Sequence, residues 1–193
     1  MSRVKPVIAA VLAVFASAQV AGAQFPGMGS TRPVSLVISG GLTVPAGDLG
    51  DFHDSGFHYD ASLLINIPGF PLTLRPEFSL TQFTWESIAP GGSIIDGTTQ
   101  TIAALGNIEV PLGAGLYVLA GGGILSLSRE SDVSTAGDVS ASEFMFDAGA
   151  GFRFALGGMR GFVEARIGAA SYDEGKIGFS KAQFIPITFG LVF

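Results

Sequence analysis

The stretch FMFDAGAGFRF, residues 144–154, alternates large or apolar side chains with small or charged ones. Its four phenylalanines and two alanines all fall on one face of an extended chain, because side chains of a β-strand alternate with a period of two. Asp147 and Arg153 fall on the other face, together with Met145 and two glycines. The pattern predicts a strand with one strongly apolar face and one face that carries charge.

The same period of two recurs along the chain, and no later segment carries a long helical apolar stripe. The alternation weakens near Leu80–Phe83, which predicts a β-bulge in the third strand. Eight strands are predicted, with these ranges: 34–44, 55–67, 71–85, 98–110, 115–129, 141–156, 160–172 and 181–193.

The connections between these strands alternate in length. Short turns at 68–70, 111–114 and 157–159 join strands 2–3, 4–5 and 6–7, and longer polar segments join the others. Three short turns at one end and four long loops at the other are typical of an outer-membrane β-barrel. Closure should pair Leu36–Leu42 with Ile185–Leu191, since an open edge in lipid leaves backbone groups without partners.

The direction of the apolar face separates a membrane barrel from a soluble, lipocalin-type barrel. An eight-stranded barrel is just wide enough inside for side chains to fill it, so rows of phenylalanine fit only outside. The other face holds mainly small residues and few charges, and charged residues make up 13% of the chain against about 25% in ordinary soluble domains. The sequence therefore predicts an all-β, eight-stranded antiparallel up-and-down transmembrane β-barrel over residues 34–193.

The first residues have the features of a secretory signal peptide. Arg3 and Lys5 precede an apolar run of about 12 residues, too short to span a bilayer, and Ala21–Ala23 forms an A-x-A cleavage site. We expect a signal peptide over 1–23, a flexible lead-in over 24–33, and export to the outer membrane of a bacterium.

Composition and spacing argue against several chemistries. The chain has no cysteine and carries 16 acidic against 10 basic residues with no basic block, so nucleic acid is not an expected partner. His53 and His58 lie near Asp51, Asp54 and Asp60, but their spacing matches no standard metal site. His58 and Ser62, four residues apart on a strand, are separated by about 13 Å, too far for a base and its nucleophile. No catalytic residue, cofactor site or metal site is predicted.

The inward face is predicted to carry most of the charges in the strands. We expect these charges to form an interlocked plug of salt bridges rather than an ion path, and Arg153 to contact Glu164. The predicted network is Asp60, Arg75, Glu77, Glu109, Asp147, Arg153, Glu164 and Arg166. Aromatic residues near the strand ends predict interfacial girdles. These are Tyr59, Trp85, Tyr117, Phe154 and Tyr172.

Two motifs carry a resemblance to a known family. One is the Gly-Gly-Leu-Thr-x-Pro-x-Gly-Asp stretch at Gly40–Asp48, and the other is the last strand, which ends the chain on an aromatic residue. The chain resembles the small outer-membrane β-barrels of OmpA, OmpX and opacity-porin type. The resemblance implies a monomer in outer-membrane lipid and a terminal signal for the assembly machinery. That signal is Ile185, Ile187, Phe189, Leu191 and Phe193.

The family resemblance also implies a role in adhesion, envelope integrity or host interaction. We therefore expect a non-catalytic protein that acts through four long extracellular loops on a surface ligand. Two alternatives remain at this point: a lipid-modifying enzyme such as an acyl hydrolase, and a narrow passive pore.

Overall fold

The computed structural model describes residues 32–50, 53–88, 94–131, 139–172 and 181–193, with the backbone alone at 85–88, 94–96, 129–131 and 139. These residues form eight strands and a single turn of 3-10 helix, Gly47–Leu49. No helix in the described ranges is long and apolar enough to cross a membrane. The strands are β1 (Val34–Ala46), β2 (Gly56–Asn66), β3 (Thr73–Ile88), β4 (Ile94–Gly113), β5 (Leu116–Ser131), β6 (Val139–Leu156), β7 (Met159–Ser171) and β8 (Lys181–Val192).

The strands form one closed antiparallel barrel in sequence order, with β8 returning to β1. At this seam Ile38 lies opposite Leu191 and Leu42 opposite Ile187, which confirms the predicted closing contact. The backbone N–H of Phe193 also donates to the carbonyl of Leu36 at 2.9 Å. Closure leaves no strand edge whose backbone groups would meet lipid unpaired.

The register of the strands sets the width of the barrel. A path that steps from each residue to its partner on the next strand starts at Ser140 of β6 and, after one turn around the barrel, reaches Ala150 of the same strand. The stagger of the strands is therefore ten residues. Eight strands with a stagger of this size are strongly tilted and leave an interior that side chains can fill. The apolar residues therefore face outward, as expected: Phe146 is 67% exposed, whereas its neighbour Asp147 is 6% exposed.

The bulge predicted in the third strand is wrong. β3 keeps one constant register against β4 from Thr73 to Ile88. Its register against β2 is also constant, with no shift between the first and the last pair. The apparent loss of alternation arises because Phe83 is an inward residue, 1% exposed. It lies at the loop end of the barrel, where the interior is apolar rather than polar.

The strands are unequal in length, and the excess lies at the loop end. β3 to β6 have 16 to 20 residues, whereas the other four have 11 to 13. Pairing of β2 with β3 ends at Gln82, yet β3 continues to Ile88 against β4. Pairing of β6 with β7 ends at Met145, yet β6 begins at Val139 against β5. The loop-end segments 82–88, 94–101, 125–131 and 139–143 thus form a projecting wall on one side of the barrel.

The seam between β1 and β8 depends on a close backbone approach at Gly41. A β-carbon there would lie 1.9 Å from the carbonyl oxygen of Ile187, whereas one at Gly106, on β4, would have nothing within 4 Å. We predict that Gly41→Ala lowers the free energy of unfolding by about 1–3 kcal/mol through forced separation of the strands. Gly106→Ala should change it by less than about 0.5 kcal/mol. Urea unfolding in lipid vesicles measures both, and equal stabilities for the two variants would contradict the seam geometry.

Candidate functional site in the barrel interior

The barrel interior is layered along its axis. On β7 the inward side chains run from the loop end to the turn end as Ala170, Arg166, Glu164 and Phe162, so an apolar layer precedes and follows a charged one. The turn-end layer is Val37, Leu64, Phe162 and Val192. The loop-end layer is Leu49, Phe83, Ala103, Leu105, Leu125, Leu127, Met145, Ala170, Tyr172 and Ala182.

Arg166 is the centre of the charged layer. Its guanidinium donates to both carboxylate oxygens of Glu77 at 2.7 Å each, and to Glu164 at 2.6 Å. A further hydrogen bond of 3.1 Å reaches Asp147. The Arg166 side chain is 5% exposed, so these pairs are shielded from solvent and each group needs its partners to offset the cost of desolvation.

Arg75 extends the same network from β3. It donates to Glu164 at 2.8 Å and to the hydroxyl of Ser62 at 3.1 Å, and it lies 3.1 Å from Glu77. Tyr117 from β5 donates its phenolic hydroxyl to Glu164 at 2.7 Å. Glu164 thus receives hydrogen bonds from three strands, β3, β5 and β7, and the network crosses the whole interior.

The expected contact between Arg153 and Glu164 is wrong. The β6–β7 turn is Gly157–Gly158, with Gly157 at a φ of 63°, so Arg153 lies opposite Phe162 and Glu164 lies opposite Gly151. Arg153 instead forms an ion pair with Glu109 and lies 4.3 Å above the Tyr117 ring.

A second polar cluster surrounds His58 on β2. Its Nδ1 lies 2.8 Å from the Thr43 hydroxyl, and its Nε2 lies 2.9 Å from the Thr188 hydroxyl and 3.5 Å from Asp60. Ser39 donates to the same Asp60 carboxylate at 3.3 Å. Sequence reasoning missed the two threonines, although both occupy inward positions of β1 and β8. A cavity of about 40 Å³ adjoins this cluster, enough for a few water molecules.

All eight residues of the predicted interior charge set lie on the inward face. Two groups result: the Arg75–Glu77–Glu164–Arg166–Asp147 network, and the Arg153–Glu109 pair nearer the turn end. Asp60 belongs to the His58 cluster rather than to an arginine pair. Within the described residues no three His, Asp or Glu side chains converge on a position that could hold a metal ion.

The loop end of the interior is closed by the segment after β1. Leu49 is 1% exposed, and His53 lies 2.8 Å from the Thr99 hydroxyl on β4. The His53 and Phe83 rings are T-shaped to each other, with 6.1 Å between their centres. Tyr172 joins the same apolar layer just beyond β7. Burial there, together with the nearby Glu143 carboxylate, raises the pKa of Tyr172 to about 12.

The predicted aromatic girdle is only partly correct in position. Tyr59 faces outward at 68% exposure, and Phe154 lies beside Phe189 on the outer surface at 6.3 Å between ring centres. Tyr117 and Tyr172 are wrong as girdle residues, because both face the interior at 1% and 8% exposure. The alternation of β7, extended by two residues, already predicts that Tyr172 faces inward. In β5 the glycines at 121–123 have no side chain, so the sequence does not show which face Tyr117 occupies. The Trp85 side chain lies outside the described residues.

Comparisons with known proteins identify the fold. No protein-family model matches the chain. No curated protein matches it either. Solved structures that are similar to it over most of their length include the following three. Neisserial surface protein A has a TM-score of 0.56 at 11% identity, covering 83% of this chain and 96% of that one. OprG of Pseudomonas aeruginosa has a TM-score of 0.52 at 11% identity, covering 86% of this chain and 99% of that one. Ail of Yersinia pestis has a TM-score of 0.51 at 15% identity, covering 84% of this chain and 100% of that one.

At these identities the similarity is one of fold. The chain has the fold of the small eight-stranded outer-membrane β-barrels. The exposed apolar outer surface agrees with that fold, since it suits lipid and not water. Both observations support an outer-membrane location.

The central network makes a quantitative prediction. Arg166→Met leaves Glu77 and Asp147 with fewer cationic partners in a desolvated site, and should lower the free energy of unfolding by about 3–5 kcal/mol. Arg153→Met should lower the free energy of unfolding by less, because the Arg153 side chain is 19% exposed whereas that of Arg166 is 5% exposed. Urea unfolding in vesicles compares them, and a larger loss for Arg153→Met would contradict the assignment of Arg166 as the centre.

Proposed function

We propose that this protein is a monomeric, non-catalytic outer-membrane barrel that acts at the cell surface, in adhesion or in envelope integrity, through its four loop-end connections. The observation that carries the proposal is the filled interior. The Arg75–Glu164–Arg166–Glu77 network crosses the barrel, with an apolar layer on each side of it. A barrel closed in this way serves as a rigid support for its loops.

The arrangement of the connections supports the same role. The turns at one end span residues 67–72, 114–115 and 157–158, and the connections at the other end span 47–55, 89–93, 132–138 and 172–180. Three of these four connections are longer than any of the turns; the exception is 89–93, because β3 and β4 extend further than the sequence predicts. Long connections in small outer-membrane barrels face the cell exterior. Function is commonly carried by loops held on a rigid scaffold.

The surroundings of His58 argue against an acyl hydrolase. Its two hydroxyl neighbours, Thr43 and Thr188, are buried inside the barrel at 0% and 4% exposure. A hydrolase that acts on lipid must bring its nucleophile and base to the acyl chains, which lie outside the barrel. The His58 cluster therefore fits a structural role in the interior.

A deletion strain tests the proposed surface role. Full-length protein should restore adhesion or envelope impermeability to the strain. A variant with residues 132–138 and 173–180 replaced by short turns should reach the same surface level and fail to restore the phenotype. Full rescue by the shortened variant would contradict a role for these connections.

The filled interior predicts the absence of a passive pore. Purified protein in planar bilayers should show no discrete conductance steps, because the ion-paired network and two apolar layers occupy the interior formed by the described residues. A porin inserted in the same bilayer provides the positive control. Regular, saturating conductance steps that depend on this protein would favour the pore alternative.

We infer that the last strand also carries the assembly signal, as the resemblance implies. Ile187, Phe189 and Phe193 are exposed on the outer face of β8, and Phe193 sits at the turn end of the barrel. Deleting Phe193 removes one hydrogen bond to Leu36 and about 1–3 kcal/mol of side-chain burial, so the purified barrel should still refold in detergent. Insertion in cells should fall sharply, as surface labelling measures. Normal surface levels would refute the signal, and failure to refold would make Phe193 a structural residue.

A further inference from the structure

The cavity beside the His58 cluster joins the charged layer to the loop-end apolar layer. Its volume is about 40 Å³. Apolar side chains that include Leu105 and Leu125 line one part of it, and charged side chains that include Asp60 and Asp147 line another. We propose that this cavity binds a monovalent alkali cation of the size of Na⁺ at the carboxylate of Asp147.

The Asp147 carboxylate has a hydrogen-bond donor at only one of its oxygens. Its Oδ2 accepts from Arg166 at 3.1 Å, whereas its Oδ1 is buried and has no hydrogen-bond partner among the described residues. Asp147 is 6% exposed and lines the cavity. Glu77 and Glu164, in contrast, receive hydrogen bonds at both carboxylate oxygens. A buried anionic oxygen without a donor is costly, so Asp147 Oδ1 needs a partner that the described side chains do not supply.

The charges of the central network do not cancel. Two arginines, Arg75 and Arg166, face three carboxylates, those of Glu77, Asp147 and Glu164. One negative charge is in excess, and the residue with the unpaired oxygen belongs to this set. Buried charges in proteins are paired or coordinate metal ions. One cation of unit charge would make the network neutral.

The His58 cluster faces the same cavity and does not remove this excess. Asp60 accepts from Ser39 at 3.3 Å and lies 3.5 Å from His58 Nε2. A protonated His58 would balance the charge of Asp60 alone, and a neutral His58 would leave a second negative charge in excess. In either state of His58, the negative charge at Asp147 is not balanced by the groups around the cavity.

Hydroxyl groups supply neutral oxygens around the cavity. These belong to Thr43, Ser79, Thr81, Thr101 and Thr188. Hard cations are bound by oxygen ligands, and the described residues bring no three His, Asp or Glu side chains together as a metal site. Hydroxyl and water oxygens would therefore complete the coordination, which suits a singly charged cation better than a divalent one. The volume admits such an ion with about two water molecules.

The test uses the full chain refolded at neutral pH in micelles of a zwitterionic detergent. Na⁺ replaces N-methyl-D-glucamine, a cation too large for the cavity, from zero to about 300 mM at constant ionic strength. The equilibrium constant for unfolding in urea should fall about tenfold over this range, as a Kd of about 30 mM implies. The sodium-23 NMR line should broaden with folded protein and not with the unfolded chain.

Asp147→Asn locates the site. The amide oxygen can still accept from Arg166, while the negative charge is removed. Without Na⁺ this variant should be at least as stable as the parent, and Na⁺ should not change its equilibrium constant for unfolding. A merely structural role for Asp147 would lower stability equally with and without Na⁺. Asp54→Asn, which changes an exposed carboxylate at the loop end, is the matched control and should keep the Na⁺ dependence of the parent.

Three results would overturn the proposal. Equal stability of the parent in Na⁺ and in N-methyl-D-glucamine would mean that no ion binds. Stabilisation by acid alone would mean that a proton neutralises Asp147, which faces Arg166 and Glu77 in the network. An unchanged Na⁺ dependence in Asp147→Asn would place the ion elsewhere. If Asp147→Asn does not refold, Thr101→Val removes a hydroxyl ligand at nearly constant shape, and an unweakened Na⁺ dependence in that variant would overturn the site.

Discussion

In lipid, a backbone N–H or C=O group without a partner costs several kcal/mol, and water is not present to take its place. A β-sheet meets this requirement only by closing on itself, which here is the pairing of β1 with β8. Closure with a ten-residue stagger sets the radius, and the radius sets what fits inside. The bulky apolar side chains then face the lipid, and the small and charged ones face a narrow interior. The inversion of polarity relative to a soluble protein follows from this one constraint.

The narrow interior explains why its charges form a network. A buried charge without a partner is costly, and the interior of an eight-stranded barrel has little room for water to replace one. Arg166 and Arg75 therefore share carboxylates, with Glu164 and Glu77 each serving both arginines. Groups brought from β3, β6 and β7 link strands that are distant around the barrel. The network consequently opposes radial expansion as well as filling space, which suits a support for surface connections.

The unequal strands give the barrel a second level of organisation. β3 to β6 continue past their neighbours, and their inward faces cover the apolar layer that contains Phe83 and Leu49. The outward faces of the same segments leave the apolar surface and become polar at Gln82, Gln100 and Ser128. One set of strands thus lines the apolar layer at the mouth of the barrel with its inner side and presents a polar face on its outer side.

Alternation along single strands was enough to predict the barrel, its direction and the inward position of all eight charges, because the period of two is a local property. The same pattern could have placed Tyr172 inside. Partner choice was decided by the register between strands: Arg153 meets Glu109, and Glu164 meets Arg75 and Arg166. The His58 contacts with Thr43 and Thr188 join positions 15 and 130 residues away in the chain. The sequence by itself therefore determined which face each side chain occupies, whereas only the closed tertiary structure decided which side chains meet, since register and stagger belong to pairs of strands and not to one.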